Sequence, residues 1–273
     1  MKYELTDEIV ECDGRKLHRI RALKDIVTSS GKIVKKGDLG GWIAYESNLS
    51  PCGNSWVDDN ACVYDYAWID DNAYVCDNAH VYGKSRVYGE AIIKDDAHVR
   101  GEAWVFDKAR ICDNAQIGGA ACVHGNAEVS DRAIVHGEAV VLDEARIFEN
   151  STVSDNACVY DNAQIYGNSK VYGEAEVYNQ AEVYDNAELL GEACISDSSC
   201  YITIKGLGKS YENTTVFTTK NKNIAVKDND YYYKTLSEFA NQMEEIFGDS
   251  KYAKEYLVLV ELAKIHFGIK EEQ

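Results

Sequence analysis

The chain has 273 residues, of which 45% are hydrophobic, and its 28 basic and 46 acidic side chains give a formal net charge of −18 at pH 7. The hydrophobic content is that of a globular protein, so extended disorder is not expected. A free-standing nucleic-acid-binding protein needs basic groups to neutralise phosphates, and a charge of −18 opposes this. We therefore expect no direct nucleic-acid binding, and partners that are neutral or basic.

The sequence also bears on location and cofactors. It contains no run of about 18 apolar residues, and Met1-Lys2-Tyr3-Glu4-Leu5 lacks the apolar stretch of a signal peptide. We expect a cytoplasmic protein without membrane association. The nine cysteines include no Cys-x-x-Cys pair, which argues against a zinc finger or a disulfide framework. Reduced thiols and no cofactor are the expectation.

Residues 1–54 are predicted to form a β-rich N-terminal cap. Glu8–Glu11 and Lys16–Leu23 mix apolar and polar residues on either side of Asp13-Gly14, a dipeptide typical of hairpin turns. The first coil of the element that follows would otherwise present open strand edges to other chains. We expect this segment to cover them.

A six-residue repeat occupies residues 55–199. Every sixth residue from Ser55 to Ser199 is Ala or Ser, and two residues later the chain places Val, Ile or Leu, from Val57 through Ile195. Residues two apart point to the same side of a strand. Most units then carry Asp or Gly, which tolerate left-handed turns. Each of the 24 units therefore predicts a short strand and a corner, and stacked units bury a column of Ala and Val.

The repeat resembles a known family. Units such as Val159-Tyr160-Asp161-Asn162-Ala163-Gln164 are similar to the hexapeptide repeat of left-handed parallel β-helices, in which three units form one triangular coil. The resemblance covers about half the chain and implies an all-β solenoid of about eight coils. The family often has Gly directly after the aliphatic residue, whereas this chain usually has Tyr, His, Phe or Ser there.

The layout of the whole chain resembles phage and bacterial proteins of the YdcK-like type. The features that carry this resemblance are Gly37-Asp38-Leu39-Gly40-Gly41-Trp42 and Glu46-Ser47-Asn48-Leu49-Ser50, followed by the repeats and a short C-terminal module. Residues 200–273 are predicted to form that module, of α+β type and ending in two helices. Its predicted strands are Tyr201–Ile204, Thr214–Thr218 and Ile224–Val226. Its first helix begins at a capping box of Thr235 and Glu238 and ends at Gly248, and its second runs from Ser250 to Phe267.

With 18 residues in a coil, residues 18 apart stack about 4.8 Å from one another. One side of the solenoid then has an apolar outer surface, which we call the apolar face. It consists of Trp68, Tyr88, Trp104, Phe106, Val140, Leu142, Tyr160 and Tyr178. Contiguous exposed apolar patches usually mark interfaces. We expect either a homo-oligomer formed through this face or its coverage by the C-terminal helices.

A second line of residues 18 apart is acidic, and we call it the acidic corner. It consists of Asp59, Asp77, Asp95, Asp113, Asp131 and Glu149. Residues 55–198 hold 27 acidic and 9 basic side chains, so the whole net charge of −18 lies on the repeat. Over eight coils this is about one net charge per 2 Å, close to the ~1.7 Å of B-DNA. The acidic corner is either a surface for a basic protein partner or a set of solvated turn residues.

The resemblance implies an enzymatic alternative, because many left-handed β-helix proteins are acyltransferases with a histidine general base. His124 is the catalytic candidate, although no loop leaves the 24 units to enclose it. His80 and His98 stack in neighbouring coils as candidate metal ligands. The residues 18 positions before and after this pair are Cys62 and Gln116, so a third metal ligand is not evident.

One further motif is partial. Gly206-Leu207-Gly208-Lys209-Ser210 carries half of a phosphate-binding-loop signature, but a strand pattern follows it where a helix is required. Nucleotide binding is therefore not expected.

These observations favour a non-catalytic interaction protein. We expect it to be phage-encoded and to bind and block a macromolecular partner through its acidic or aromatic surface, as a nucleic-acid mimic or a counter-defence inhibitor in the host cytoplasm. Two alternatives stay open: an acyl-CoA-dependent acyltransferase, and a protein that sequesters a small ligand at oligomer interfaces.

Overall fold

The N-terminal segment forms a hairpin that continues into the solenoid. The computed structural model describes residues 1–209, 211–229 and 231–269. Five strands come first: β1 (Tyr3–Cys12), β2 (Arg15–Ala22), β3 (Ile26–Val27), β4 (Ile33–Val34) and β5 (Leu39–Ile43). β1 and β2 pair antiparallel about the predicted Asp13-Gly14 turn, and β3 pairs with β4. β5 pairs antiparallel with β2 and parallel with a strand of the repeat, so the hairpin is continuous with one wall of the solenoid.

The repeat forms 24 strands of two residues each. They are β6 (Trp56–Val57), β7 (Cys62–Val63), β8 (Trp68–Ile69), β9 (Tyr74–Val75), β10 (His80–Val81), β11 (Arg86–Val87), β12 (Ile92–Ile93), β13 (His98–Val99), β14 (Trp104–Val105), β15 (Arg110–Ile111), β16 (Gln116–Ile117), β17 (Cys122–Val123), β18 (Glu128–Val129), β19 (Ile134–Val135), β20 (Val140–Val141), β21 (Arg146–Ile147), β22 (Thr152–Val153), β23 (Cys158–Val159), β24 (Gln164–Ile165), β25 (Lys170–Val171), β26 (Glu176–Val177), β27 (Glu182–Val183), β28 (Glu188–Leu189) and β29 (Cys194–Ile195).

Every third strand of the repeat belongs to the same parallel sheet, with residue i paired to residue i+18. The first face runs from β7 to β28, the apolar face from β8 to β29, and the third face from β6 to β27. The small and aliphatic residues point inward; Ala121 and Val123, for example, have no exposed surface. The predicted parallel β-solenoid is confirmed, and its left-handed winding stays a prediction.

The solenoid has about nine turns, so the predicted count of about eight was too low. β5 pairs in parallel with β7, and Leu49 forms a parallel bridge with Ile69, so a further coil precedes the repeat. Two departures from the repeat pattern prevented the prediction of this coil from the sequence. Gly41 replaces the usual Ala, because a Cβ there would lie 2.7 Å from the Ala61 carbonyl oxygen. A 3-10 helix, Glu46–Asn48, replaces one of the two-residue corners.

Every corner of the repeat from Asp59 to Gly191 begins with a residue in the left-handed conformation. Asp113 has a φ of 57° and Gly119 a φ of 64°. Glycine adopts this region freely and Asp tolerates it better than most residues. The alternation of Asp and Gly at these positions therefore follows from the backbone that the corners require.

The C-terminal module closes the other end of the solenoid. It contains the antiparallel strands β30 (Tyr201–Lys205), β31 (Asn213–Thr218), β32 (Ile224–Asp228) and β33 (Tyr231–Tyr233), of which β33 was not predicted. Thr219 bridges Ala193 of the last coil, and the Thr218 hydroxyl donates a hydrogen bond to the Cys194 carbonyl oxygen at 2.7 Å. The open edge of the last coil is therefore paired with this module.

Two helices, α1 (Leu236–Phe247) and α2 (Lys251–His266), pack against the C-terminal sheet and each other. Thr235 caps α1 by accepting a hydrogen bond from the Glu238 N–H at 3.1 Å, and Gly248 ends it at a φ of 52°. Ser250 caps α2. Both predicted helices are confirmed within a residue or two. Neither helix in the described part of the chain is long and apolar enough to cross a lipid bilayer.

Candidate protein-interaction surface

The apolar face carries a continuous column of outward side chains, which we call the aromatic column. It consists of Tyr88, Phe106, His124, Leu142, Tyr160 and Tyr178, each 18 residues from the next. The rings of Tyr88 and Phe106 lie 4.9 Å apart and within 2° of parallel, and Phe106 stacks on His124 at 4.6 Å. Tyr160 and Tyr178 stack at 5.2 Å. The parallel register of the strands sets this spacing, so the column is a rigid, flat strip.

The neighbouring outward column of the same face is partly open to solvent. Trp68 and Trp104 keep 37% and 42% of their surface exposed, while Val140 is half-buried. The Arg86 guanidinium lies 5.2 Å from the centre of the Trp104 ring, in a cation–π contact. The helices α1 and α2 pack on the C-terminal sheet and leave these two tryptophans partly exposed. Of the two outcomes expected for this face, coverage by the helices is therefore not found at the tryptophans, and self-association stays a prediction.

Carboxylates border the apolar face on both sides. Its two flanking corners hold seven and six acidic residues and one lysine each, counting the first residue of every corner and the residue after it. One rim comprises Asp71, Glu90, Asp107, Asp143, Glu144, Asp161 and Asp197. The other comprises Asp65, Glu102, Glu138, Asp155, Glu174 and Glu192. The 18-residue spacing in the sequence predicted only the acidic corner, but the sheet order shows that all three corners of the solenoid are acidic.

The six residues of the acidic corner lie in one column between the third face and the first face. All six have a φ between 52° and 60°. Five of the six carboxylates, from Asp77 to Glu149, bond to the backbone of the next coil. Asp77 accepts a hydrogen bond from the Asp95 N–H, and Asp113 accepts one from the Asp131 N–H, both at 3.2 Å. The same pattern recurs at the other corners, as between Asp107 and Gly125. Each such aspartate thus has a structural role besides its charge.

One member of the acidic corner has a shifted titration. The Lys94 ammonium hydrogen-bonds the Asp95 carboxylate at 2.7 Å and lowers its pKa. The Asp113 N–H, which the same carboxylate accepts, lowers this pKa further, whereas partial burial opposes the shift. Asp95 is therefore ionised throughout the neutral range.

His124 lies within the aromatic column, on the open outer surface. Its ring is stacked on Phe106, and its Nδ1 is 3.6 Å from an Asp107 carboxylate oxygen. A carboxylate beside an imidazole can orient a general base. This pair lies on the flat outer surface of a sheet, however. His124 is part of the aromatic column, and Asp107 is part of the acidic rim beside it.

His80 and His98 lie on the first face in adjacent strands, with rings 5.0 Å apart. Burial lowers the pKa of His98, and the neighbouring His80 lowers it further. Cys62 is beside His80 in the next strand, as sequence arithmetic placed it. The spacing of the repeat could not predict that Cys12 lies here as well. The N-terminal hairpin brings the Cys12 Sγ to 3.8 Å from His80 Nδ1. Burial raises the pKa of Cys12, and that of Cys62 to about 12.

The half-motif at Gly206–Ser210 does not form a phosphate site in the part that the structure describes. The strand β31 follows it, and the Gly208 N–H donates a hydrogen bond to the Glu255 carboxylate at 3.0 Å. A protein carboxylate thus takes the amide that a phosphate would need. Ser210 itself lies outside the described residues.

Comparison with known proteins adds no relative. The chain matches no model of a known protein family, and no curated protein matches it. The candidate functional residues are therefore identified from their positions in the parallel β-solenoid.

Proposed function

We propose that this protein is a non-catalytic interaction module that binds a basic protein surface through the apolar face. The observation that carries the proposal is the rigid aromatic column lying between two acidic rims. Arginine and lysine side chains combine an apolar stem with a cationic head. An apolar strip bordered by carboxylates fits both parts, because the stacked side chains contact the apolar stem and the rims neutralise the cationic head.

The chain itself contains an example of such recognition. Arg86 places its guanidinium over Trp104, and the half-buried residues of the aromatic column keep part of their surface exposed. The net charge of −18 on the repeat adds long-range attraction for a basic partner. Affinity should therefore fall as salt is raised, since exposed charges are screened within about 8 Å at physiological ionic strength.

The resemblance to hexapeptide-repeat and YdcK-like proteins supports a more specific version. In it, the partner is a nucleic-acid-binding protein, and a phage-encoded rod with roughly the charge density of DNA blocks its binding site in the host cytoplasm. DNA should then compete with the rod for the partner. The acidic corner would contribute to this mimicry together with the rims.

A titration with a synthetic arginine-rich peptide tests the proposal. We expect saturable binding that weakens by an order of magnitude or more in the double variant Phe106→Ala, Tyr160→Ala. Ile134→Ala is the matched control, because Ile134 is a half-buried outward residue of the first face. Equal binding by the double variant and the control would contradict the assignment to the apolar face.

Self-association through the apolar face is a second candidate, supported by the placement of two charges. Arg86 and Glu176 lie equally far on either side of the centre of this face, which falls between Cys122 and Val140. In an antiparallel pair of copies, Tyr88 meets Tyr178, and Arg86 meets Glu176, whose carboxylate also pairs with the Lys220 ammonium of its own copy at 2.8 Å. Sedimentation tests this: we expect the variant Trp104→Glu, Leu142→Glu to be monomeric, and a monomeric wild type would reject it.

A further inference from the structure

The tip of the N-terminal hairpin lies on the outer side of the first face. The residues on either side of Gly14 hold it there. The Tyr64 hydroxyl donates a hydrogen bond to the Asp13 carboxylate at 2.6 Å, and the Arg15 guanidinium bonds the Asp65 carboxylate at 2.6 Å. The Arg15 guanidinium also lies 5.2 Å from the centre of the Tyr64 ring. Cys12, the last residue of β1, is therefore held in a defined position over the solenoid.

Cys12 meets two ligand-type side chains at this point. Cys62 in β7 and His80 in β10 are paired neighbours of the first face. One potential ligand atom from each of the three residues lies within 4.8 Å of the other two, and Cys12 Sγ is 3.8 Å from His80 Nδ1. Zinc bonds of about 2.3 Å to sulfur and 2.0–2.1 Å to nitrogen place tetrahedral ligand atoms about 3.5–3.8 Å apart. Small side-chain rotations bring the three atoms to that separation.

We propose that Cys12, Cys62 and His80 bind one Zn²⁺ ion, with a water molecule in the fourth position. Two thiolates and an imidazole form a donor set that zinc prefers. Their complex with Zn²⁺ carries no net charge, which suits the burial of Cys62 and the half-buried positions of the other two residues. Binding releases the two thiol protons to solvent, and His80 binds through Nδ1 while Nε2 keeps its proton.

The ion joins parts of the chain that are 50 and 68 residues apart. It fixes the hairpin tip to two successive coils, at the end of the solenoid where β1 is the edge strand of the sheet. Since the three ligands come together only in the folded chain, zinc binds the native state and stabilises it. The zinc site thus cross-links the N-terminal cap to the repeat.

A second cluster of similar composition lacks this fit. Asp59, Cys76 and Asp77 also lie within 4.8 Å of one another. There the Cys76 thiol donates a hydrogen bond to the Asp77 carboxylate, and the Lys32 ammonium lies 3.7 Å from Asp59. This ammonium, which also pairs with Asp58, opposes a second cation beside Asp59, and Cys76→Ser serves as a control for the proposed site.

Cobalt titration of the full chain, first freed of metal with a chelator, tests the proposal. We expect one equivalent of Co²⁺ to produce thiolate-to-cobalt charge-transfer absorption and the visible bands of tetrahedral cobalt, and Zn²⁺ to displace it. Cys12→Ser, Cys62→Ser and His80→Ala should lose these bands or change them. Cys122→Ser, which removes a half-buried thiol of the apolar face, and Cys76→Ser should keep them.

Thermal unfolding of the same variants separates binding from folding. Zn²⁺ should raise the midpoint of the wild type and of Cys76→Ser but leave that of Cys12→Ser unchanged, with all three showing the same circular dichroism. Absence of thiolate bands in the wild type would overturn the proposal. So would bands that persist in Cys12→Ser, bands abolished in Cys76→Ser, or a Cys12–Cys62 disulfide in freshly prepared protein.

Discussion

The acidic corner and the next corner along each coil use the same backbone conformation with different chemistry. We call the second one the glycine corner, because its left-handed residue is Gly in six of eight coils and Asp in the other two, Asp65 and Asp155. The glycines are Gly83, Gly101, Gly119, Gly137, Gly173 and Gly191, with φ between 61° and 75°. The acidic residues of this corner, most of which follow the glycines, form the second rim of the apolar face. The acidic corner reaches a φ of 52–60° with five aspartates and a glutamate. A left-handed turn therefore needs no charge. The carboxylates add a hydrogen bond to the next coil, which an uncharged Asn could also supply, so their charge is free to serve recognition.

The largest expected effect comes from breaking the glycine corner. A Cβ on Gly119 would lie 2.6 Å from the Gly137 carbonyl oxygen, and β-branched residues avoid positive φ. We expect Gly119→Val to lower the free energy of unfolding by roughly 3 kcal/mol or more. Denaturant unfolding followed by circular dichroism measures this. Gly118→Val is the control, since the nearest atom to a Cβ there lies at 3.5 Å, and an equal loss in both would refute the explanation.

A smaller effect separates hydrogen bonding from charge at the acidic corner. Replacing Asp77, Asp95, Asp113 and Asp131 by Ala removes four bonds to backbone amides and the tolerance for left-handed φ. We expect a total loss of about 2–4 kcal/mol, from roughly 0.5–1 kcal/mol at each site. The same four residues changed to Asn should keep the stability to within about 1 kcal/mol. If the Asn variant unfolds as easily as the Ala variant, the charges themselves hold the coils.

The variant with Asn at these four positions also distinguishes the acidic corner from the apolar face as the binding surface. It removes four charges from the acidic corner but leaves both rims of the apolar face intact. We expect a modest loss of affinity for the arginine-rich peptide, smaller than the loss in Phe106→Ala, Tyr160→Ala. The opposite order would move the binding surface to the acidic corner.

The pH dependence at Asp95 is expected to be smaller still. Its pKa in the folded chain is lowered by Lys94, so its contribution to stability is present above the unfolded value of about 3.9. That contribution is lost as the pH falls through the folded-state pKa. Because the pair is more than a third exposed, we expect well under 1 kcal/mol. Asp95→Asn should flatten the acid limb of the stability profile; a steeper limb would contradict the sign.

The sequence predicted the repeat well because one local rule governs it. Ala121 and Val123 must face inward in a strand, and their counterparts recur every six residues, so the register followed by arithmetic. The contacts of the N-terminal segment obey no such rule. The sequence could not show that Cys12 lies beside Cys62, because the hairpin that joins them depends on tertiary contacts such as that between Tyr64 and Asp13. The extra coil at Gly41 was missed since it lacks the Ala of the repeat.

The four tryptophans allow the proposed binding of a basic partner by the apolar face to be observed directly. Trp68 and Trp104 lie on that face, whereas Trp56 is fully buried and Trp42 lies under the Arg19 guanidinium. Fluorine NMR of the 5-fluorotryptophan-labelled protein, with each signal assigned by a Trp→Phe variant, reports on both groups during titration with the arginine-rich peptide. We expect saturable shifts of the Trp104 and Trp68 signals and unchanged Trp42 and Trp56 signals. Saturable binding that leaves the Trp104 and Trp68 signals unmoved would contradict the proposal.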